Sequence, residues 1–283
     1  MRNIKRDDSE KIFTELGNKV TAFWLDDEMF SKKNFYDTYD YAAFWKGREF
    51  EDEADRMAVR RLVYKIPQPH RTIIDVGGGI GRLVPLYENQ WDRIIILDPS
   101  LDQLAVAKKN LSKIGKVDCV EGSAESIPLP ARSCDAAICV RVFHHITNPR
   151  AVIREIARIL TPEGHLILEI PNKMHMKARF YSLSFKKDTS PYVPISRSQK
   201  DLAVPFLNHH PAAIRATLEA EGFVILETLS VSNFRHAFFK NTIPSPILYL
   251  LERKFQRILA GLWFGPSIYF LAKKEIKKSS LKN

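Results

Sequence analysis

The sequence predicts an α/β fold in which a mostly parallel central sheet is covered by helices on both faces. Through the middle of the 283-residue chain, short apolar runs alternate with segments of helical periodicity. The runs, such as "IIIL" at Ile94–Leu97, lack the polar–apolar alternation of strands with one face in water. Fully covered strands separated by helices are typical of parallel sheets.

The elements follow from these runs and from the residues that start and stop helices. The predicted strands are Thr72–Val76, Arg93–Leu97, Lys116–Val120, Ala136–Val140, His165–Ile170, Phe223–Val231 and Ser267–Ala272. The predicted helices are Leu83–Gln90, Leu101–Ile114, Pro149–Leu160, a helix from Pro211 to just before Gly222, and Pro246–Ala260. We divide the chain into an N-terminal helical segment or cofactor lid (1–66), a Rossmann-like core (67–172), an acceptor-pocket insertion (173–208), the C-terminal part of the same sheet (209–274) and a basic tail (275–283).

Composition limits the classes of protein to consider. The ten residues from Met1 to Glu10 do not resemble a signal peptide, and no apolar run is long enough to span a bilayer. The three cysteines lack CxxC spacing, so we expect reduced thiols in a cytoplasmic protein, and we assign no metal site. The formal charge is +10, and residues 240–283 hold nine basic against two acidic side chains. This tail indicates either an anionic partner or a solvated basic surface.

The stretch "IIDVGGGIGR", residues 73–82, predicts a ligand site after the first strand. Bare glycine backbone between a strand and its helix lets a ligand approach main-chain N–H groups. The spacing is D-x-G-x-G-x-G, not the G-x-G-x-x-G of dinucleotide-binding proteins. Asp98 ends the second strand, where a carboxylate can accept hydrogen bonds from both hydroxyls of a ribose. These features indicate a ligand that contains a nucleoside.

At these residues the chain resembles the class I S-adenosylmethionine-dependent methyltransferases, in particular the methyltransferase type 11 group that includes ubiquinone and menaquinone methyltransferases. The likeness covers about residues 72–172 and continues with "IIILDPSLDQLAVAKKN", "VEGSAESIPLPARSCDAAICVRVFHHI" and "AVIREIARILTPEGHLILEIPN". It implies a Rossmann-like sheet of seven strands, mostly parallel, with helices on both faces and an antiparallel last strand beside Phe223–Val231. It also implies S-adenosyl-L-methionine as the cofactor.

The resemblance assigns cofactor contacts residue by residue. Gly77, Gly79 and Gly81 would line the methionine part, with Asp75 near its amino group. Asp98 would take the ribose hydroxyls, with Pro99 following it. The remaining positions are Ala124 and Glu125 beside the adenine, and Arg141 where the sulfonium sits. Ile80 and Pro99 depart from the family's usual residues, but neither change removes a charge that the assignment needs.

Methyl transfer from a sulfonium is an in-line displacement, so alignment of the reactants is the enzyme's main task. His144 and His145, just past the fourth strand, are our catalytic candidates, and the alternative is that both are structural. His209 and His210 precede Pro211 and are expected to lie at the start of a helix, with contact to the substrate as the alternative. The aromatic segment Asn34–Trp45 is expected to cover the cofactor, with Tyr36 or Tyr39 as contacts or as ordinary packing.

Three functions compete. The first is methylation of a small apolar acceptor, quinone- or lipid-like, in a pocket formed by aromatic residues of the insertion. The others are an RNA methyltransferase, for which no "NPPY"-like tetrapeptide follows strand four, and a non-catalytic scaffold that binds S-adenosylmethionine. The helix at Pro246–Ala260 is predicted to have a broad apolar face, with the cations Arg253, Lys254 and Arg257 on its other side. It is expected either to lie on an anionic membrane surface, making the protein peripheral there, or to pack on the sheet edge. An apolar helical face in residues 12–24 suggests a lid or a homodimer contact.

Overall fold

The computed structural model describes residues 45–185, 195–197 and 206–276. Their strands are β1 Thr72–Val76, β2 Arg93–Asp98, β3 Val117–Glu121, β4 Cys134–Cys139, β5 Leu160–Pro171, β6 Ile195–Arg197, β7 Phe206–Asn208, β8 Phe223–Val231 and β9 Ser267–Lys274. The helices are α1 Glu49–Val63, α2 Leu101–Asn110, α3 Pro149–Ile159, α4 Met176–Phe185, α5 Pro211–Ala220, α6 Ala237–Thr242 and α7 Ser245–Ile258.

A seven-stranded sheet in the order β3-β2-β1-β4-β5-β9-β8 forms the centre of the protein. The first five strands of that order run parallel, whereas β9 pairs antiparallel with both β5 and β8. The predicted seven-stranded, mostly parallel sheet with an antiparallel last strand is therefore confirmed. β6 and β7 form a separate two-stranded sheet.

The sheet is buried on both faces because neighbouring residues of its inner strands enter opposite cores. Ile74 packs in a core with α3 and α5, whereas Ile73 packs in a second core with α1 and α2. This arrangement explains why the strand sequences are continuously apolar. Helix starts follow the capping residues: Ser100 accepts from the N–H of Gln103, and Asn148 accepts from that of Ala151.

The helix predicted at Leu83–Gln90 was wrong. Two short 3-10 helices, Val84–Leu86 and Glu88–Gln90, take its place. Pro85 lies in the first turn, where a missing N–H costs no helical hydrogen bond, and the run is interrupted at Tyr87, whose φ of −136° and ψ of −2° lie outside the helical region. The interruption turns the Tyr87 side chain into the core, where it contacts Asp75.

The C-terminal helix α7 packs against β8 and α1. Within the described ranges, no helix combines the length and apolar character that crossing a bilayer requires. The three cysteines are free thiols, two of them buried and Cys119 half-buried.

Candidate active site

The glycine loop, residues 77–81, follows β1 at the carboxyl edge of the parallel strands. The N–H groups of Gly77 and Gly78 both donate to the carbonyl of Leu97, over 2.7 and 3.1 Å, which ties the loop to the end of β2. Gly77, Gly79 and Gly81 have φ values of +69°, +52° and +76°. Side chains rarely adopt this left-handed region, so the loop's shape depends on glycine.

The loop glycines differ in what a side chain would meet. A Cβ on Gly77 would lie 2.4 Å from Cγ2 of Val142, and one on Gly81 would lie 2.5 Å from Cδ1 of Leu111. A Cβ on Gly79 would have as its nearest neighbours Asp98 Oδ2 at 3.9 Å and Gln103 Oε1 at 4.0 Å. The absence of a side chain at Gly77 and at Gly81 therefore lets Val142 and Leu111 pack against the loop. Gly79 instead leaves room beside Asp98.

Asp98 ends β2 and is oriented by the backbone around it. Its Oδ2 accepts from the N–H of Gly79 at 2.9 Å, and its Oδ1 accepts from the N–H of Ser100 at 3.0 Å. Pro99, which joins them, is half-buried. Charge-assisted bonds of this kind hold a carboxylate in one geometry. At the tip of a strand, a carboxylate held in this way is suited to accept hydrogen bonds from ribose hydroxyls.

Asp75 lies beneath the loop. A Cβ on Gly78 would come within 3.1 Å of its Cγ, and the hydroxyl of Tyr87 donates to its Oδ2 over 3.0 Å. Burial raises the pKa of Asp75 to about 7, although the Tyr87 bond opposes that rise. The carboxyl thus contacts the loop from the core side.

Ala124 and Glu125 lie in the turn after β3. Ala124 is buried in the core on the α3 side of the sheet, and an isolated bridge between Ser123 and Ser126 closes the turn around both residues. Glu125 is half-buried, and its charge contributes to the raised pKa of the Cys139 thiol at the end of β4. The turn therefore faces the same sheet edge as the glycine loop.

The side chain of Arg141 is held by the buried carboxylate of Asp55, which belongs to helix α1. It follows β4 with a left-handed φ of +61°, and its backbone N–H donates to Glu169 Oε2 over 3.0 Å. Its guanidinium forms a bidentate pair with Asp55 of α1, over 2.9 and 3.0 Å. The hydroxyl of Tyr269 also donates to Asp55, over 2.7 Å. The charge of Arg141 is therefore compensated within the fold.

Helix α1 holds the glycine loop through Arg82, the residue that follows it. The guanidinium of Arg82 pairs with Asp52 and, at 3.5 Å, with Asp55. Arg56 donates to the carbonyl of Arg82 over 3.2 Å, and the ring of Trp45 lies 4.1 Å from the Arg82 guanidinium carbon. The i, i+3, i+4 spacing places Asp52, Asp55 and Arg56 on one face of α1, so a single helix face contacts the loop.

The histidine pair follows Arg141, but its surroundings differ from those of a strong base. The ring of His144 lies 3.8 Å from that of His145 and stacks on Phe206 at 4.5 Å. Burial, followed by the charges of His145 and Arg141, lowers the pKa of His144 well below its ordinary value. His144 is therefore neutral at physiological pH, and a catalytic role for either histidine stays a prediction.

His209 and His210 are structural, as their position before Pro211 predicted. His210 caps α5 by accepting from the N–H of Ala212 over 3.1 Å. His209 is buried, and its Nε2 donates to the carbonyl of Phe143 over 2.7 Å. This bond holds the turn that carries the histidine pair.

Sequence reasoning missed Asp55 and Tyr87, and it included Trp45 only as the last residue of the aromatic segment expected to cover the cofactor. The acidic face of α1 was a signal for Asp55, whereas Tyr87 was indistinguishable from a core aromatic. Tyr36, Tyr39 and the apolar face in residues 12–24 lie outside the described residues, as do residues 186–194 and 198–205 of the insertion. Within the described part of the chain, no cluster of His, Cys, Asp or Glu could hold a metal ion.

Comparison with known proteins bears on this arrangement. Residues 74–168 match a family model described as a methyltransferase domain. This segment is a methyltransferase domain. It includes the glycine loop, Asp98, Arg141 and the histidine pair. Asp55, which pairs with Arg141, and Tyr269, which donates to Asp55, lie outside it.

The chain is also similar to individual methyltransferases. It is 41% identical over 98 residues to an uncharacterised methyltransferase of Schizosaccharomyces pombe, a match that covers 34% of this chain and 38% of that protein. It is 32% identical over 130 residues to a ubiquinone/menaquinone biosynthesis C-methyltransferase of Rubrivivax gelatinosus, covering 45% and 51%. The chain thus matches about half or less of the length of these curated relatives.

Solved structures share the fold of the methyltransferase domain and of much of the remaining chain. A chain from the Haloferax volcanii complex between the Trm112 methyltransferase activator and a methyltransferase superposes with a TM-score of 0.60. The match covers 85% of this chain and 98% of that one, at 16% identity. At this identity the likeness shows a shared fold, and function has to be argued from the site.

Proposed function

We propose that the protein transfers a methyl group from S-adenosyl-L-methionine to a small apolar acceptor by in-line displacement. The observation that carries the proposal is that a Cβ at Gly79 would meet no atom closer than 3.9 Å, beside a carboxylate that backbone N–H groups hold at the tip of β2. A side chain at this position would fill that space. The residues present therefore fit a nucleoside ligand that approaches bare backbone.

Each assigned residue would hold one part of the cofactor. Asp98 would bind the ribose hydroxyls, the turn at Ala124 and Glu125 would border the adenine, and the glycine loop above Asp75 would border the methionine part. When bound, S-adenosylmethionine supplies a methyl group activated by a sulfonium. The rest of the argument concerns what this chain's own residues contribute.

The pairing of Arg141 with Asp55 reduces the repulsion that the guanidinium would exert on a bound sulfonium. An unpaired guanidinium next to a cationic sulfonium would repel it, and the repulsion would be strong in a poorly hydrated site. The bidentate pair with Asp55 neutralises the guanidinium of Arg141, and the backbone N–H of Arg141 is held by Glu169. They support a site in which Arg141 shapes the turn after β4 without opposing cofactor binding.

An aromatic ring beside the histidine pair supports an apolar acceptor. Phe206 stacks on neutral His144. A neutral, weakly basic imidazole beside an aromatic ring suits the alignment of an apolar acceptor better than strong general-base catalysis. The ubiquinone/menaquinone C-methyltransferase among the relatives supports a quinone- or lipid-like acceptor. Such acceptors dissolve in membranes, so we also propose that the protein works at an anionic membrane surface.

The test is transfer of a labelled methyl group. The full chain is incubated with methyl-labelled S-adenosylmethionine and separately with lipid, small-molecule and RNA fractions of its host. Asp98→Ala, which lacks the ribose contact, is the matched control. Label in the lipid or small-molecule fraction, reduced at least tenfold in the variant, is the expected result. Label in RNA alone, or cofactor binding without transfer to any fraction, would contradict the proposal.

A further inference from the structure

Helix α7 buries two polar side chains next to Leu248 and leaves three large aliphatic side chains exposed. Glu252 and Gln256 are fully buried with 0% exposure. Ile247, Leu250 and Ile258 are 52, 63 and 57% exposed. A helix that packs on a sheet normally shows the opposite pattern. An exposed group of large aliphatic side chains is typical of a surface that contacts a partner.

Specific hydrogen bonds on the buried side fix this orientation. The carboxylate of Glu252 accepts from the N–H groups of Ser232 and Asn233, over 2.8 and 2.9 Å. The amide of Gln256 donates to the carbonyl of Ala54 in α1, over 3.0 Å. Rotating the helix to bury its aliphatic residues would break these bonds and leave buried N–H groups without partners. The outward apolar face is therefore a stable part of the fold.

The charges on the solvent side of α7 have one sign. Its single acidic residue is the buried Glu252, whereas Arg253, Lys254 and Arg257 are exposed. Arg257 pairs with Glu227 at 3.0 Å. Lys254 lies among the exposed aliphatic residues in the helical register, between Leu250 and Ile258 at spacings of four. Phe238 of the adjoining α6 is also exposed.

We propose that the outer α7 face, formed by Ile247, Leu250, Lys254 and Ile258 with Arg253 at its flank, docks on an anionic lipid surface. Aliphatic residues that surround a lysine, with a second cation at the edge, match a bilayer interface in which apolar chains lie below anionic head groups. A purely apolar protein partner would leave Lys254 without a counter-charge in the centre of the contact. The inference builds on the proposed function, because docking here would bring the site to a membrane-dissolved acceptor.

Vesicle flotation tests the inference with a readout independent of methyl transfer. The full chain is mixed with neutral vesicles of phosphatidylcholine alone, and separately with anionic vesicles that contain phosphatidylcholine and phosphatidylglycerol in equal proportions. We expect flotation with the anionic vesicles, weakened by added salt because exposed charges are screened. Leu250→Glu should lower the bound fraction at least tenfold, and Lys254→Gln should lower the partition coefficient about fivefold.

The matched control is Val106→Glu, which places the same charge on an exposed aliphatic position of α2, beside β2 and β3 at the other end of the sheet. It should float like the wild type. Affinity for S-adenosylhomocysteine should be unchanged in all three variants, which separates a failure of docking from a failure of the proposed function. Wild-type chain that floats with neither vesicle, or an equal loss in Val106→Glu, would overturn the inference. So would a dimer that Leu250→Glu dissociates without any vesicle binding.

Discussion

Alanine at Gly79 and at Gly81 should separate cofactor binding from folding. Both positions have positive φ, so both substitutions strain the backbone by about 1–2 kcal/mol. At Gly79 the new methyl group meets no protein atom closer than 3.9 Å, so backbone strain is the whole cost to stability. At Gly81 it would come within 2.5 Å of Leu111 and 3.2 Å of Ile96. Overpacking there adds about 1–3 kcal/mol.

The expected effects on cofactor affinity have the opposite order. A methyl group at Gly79 occupies the space beside Asp98 and would displace the ribose from its carboxylate. Losing one hydrogen bond to a charged group costs about 1.5–3 kcal/mol, which lowers affinity at least tenfold. Alanine at Gly81 points towards α2, away from that space, and should change affinity by less than about threefold when the protein is folded.

Calorimetric titration with S-adenosylhomocysteine and thermal unfolding, applied to both variants, measure the two effects. Gly81→Ala should have the lower melting temperature, with each kcal/mol lowering it by about 2–4 °C. Gly79→Ala should have the weaker binding. Wild-type affinity in Gly79→Ala, or equal losses of affinity in both variants, would refute the assignment of the open space to the cofactor.

Two further predictions concern the groups that hold the site. Asp55→Asn should lower the free energy of unfolding in urea by about 3–5 kcal/mol, because it leaves a partly buried guanidinium without its counter-charge. Asp52→Asn, whose carboxylate is 30% exposed, should cost at most about 1 kcal/mol, and equal losses would contradict the burial argument. Burial lowers the pKa of His209 from 6.5 to about 4, so its contribution to stability is present above pH 6.5 and is lost as the pH falls towards 4. His209→Gln keeps a hydrogen-bond donor but does not titrate. The difference in unfolding free energy between this variant and the wild type should therefore shrink by about 1.4 kcal/mol for each unit by which the pH falls through this window, and a constant difference would exclude the titration.

The sheet could be predicted because its strands are buried on both faces. Each strand of the parallel part then appears as a continuous apolar run, and capping residues such as Ser100 and Asn148 mark where the helices start. The apolar runs do not predict the order of the strands in the sheet, and that prediction came from the resemblance to class I methyltransferases. The helix after the glycine loop was mispredicted because its apolar pattern does not reveal that the backbone leaves the helical region at Tyr87.

In the site, sequence reasoning found the groups that lie within one motif. Asp98 and the glycine loop are close in sequence to the turns that they shape. The partner of Arg141 is 86 residues away, on a helix whose acidic residues resemble an ordinary solvated face. Helix α7 packs on the edge strand β8, as one of the two alternatives predicted, but the prediction that its cations lie opposite the apolar residues was wrong for Lys254, which is exposed together with Leu250 and Ile258. Its apolar residues were visible in the sequence, but the burial of Glu252 depends on N–H groups of a loop that periodicity does not reveal.

Competition in equilibrium dialysis tests the central claim most directly. Labelled S-adenosylmethionine is dialysed against the wild-type chain, with unlabelled S-adenosylhomocysteine or NAD as competitor, and against Asp98→Ala. We predict retention of label by the wild type, displacement by S-adenosylhomocysteine but not by NAD, and at least a tenfold loss of retention in the variant. No retention by the wild type, displacement by NAD, or full retention by Asp98→Ala would contradict a cofactor site built on the glycine loop and Asp98.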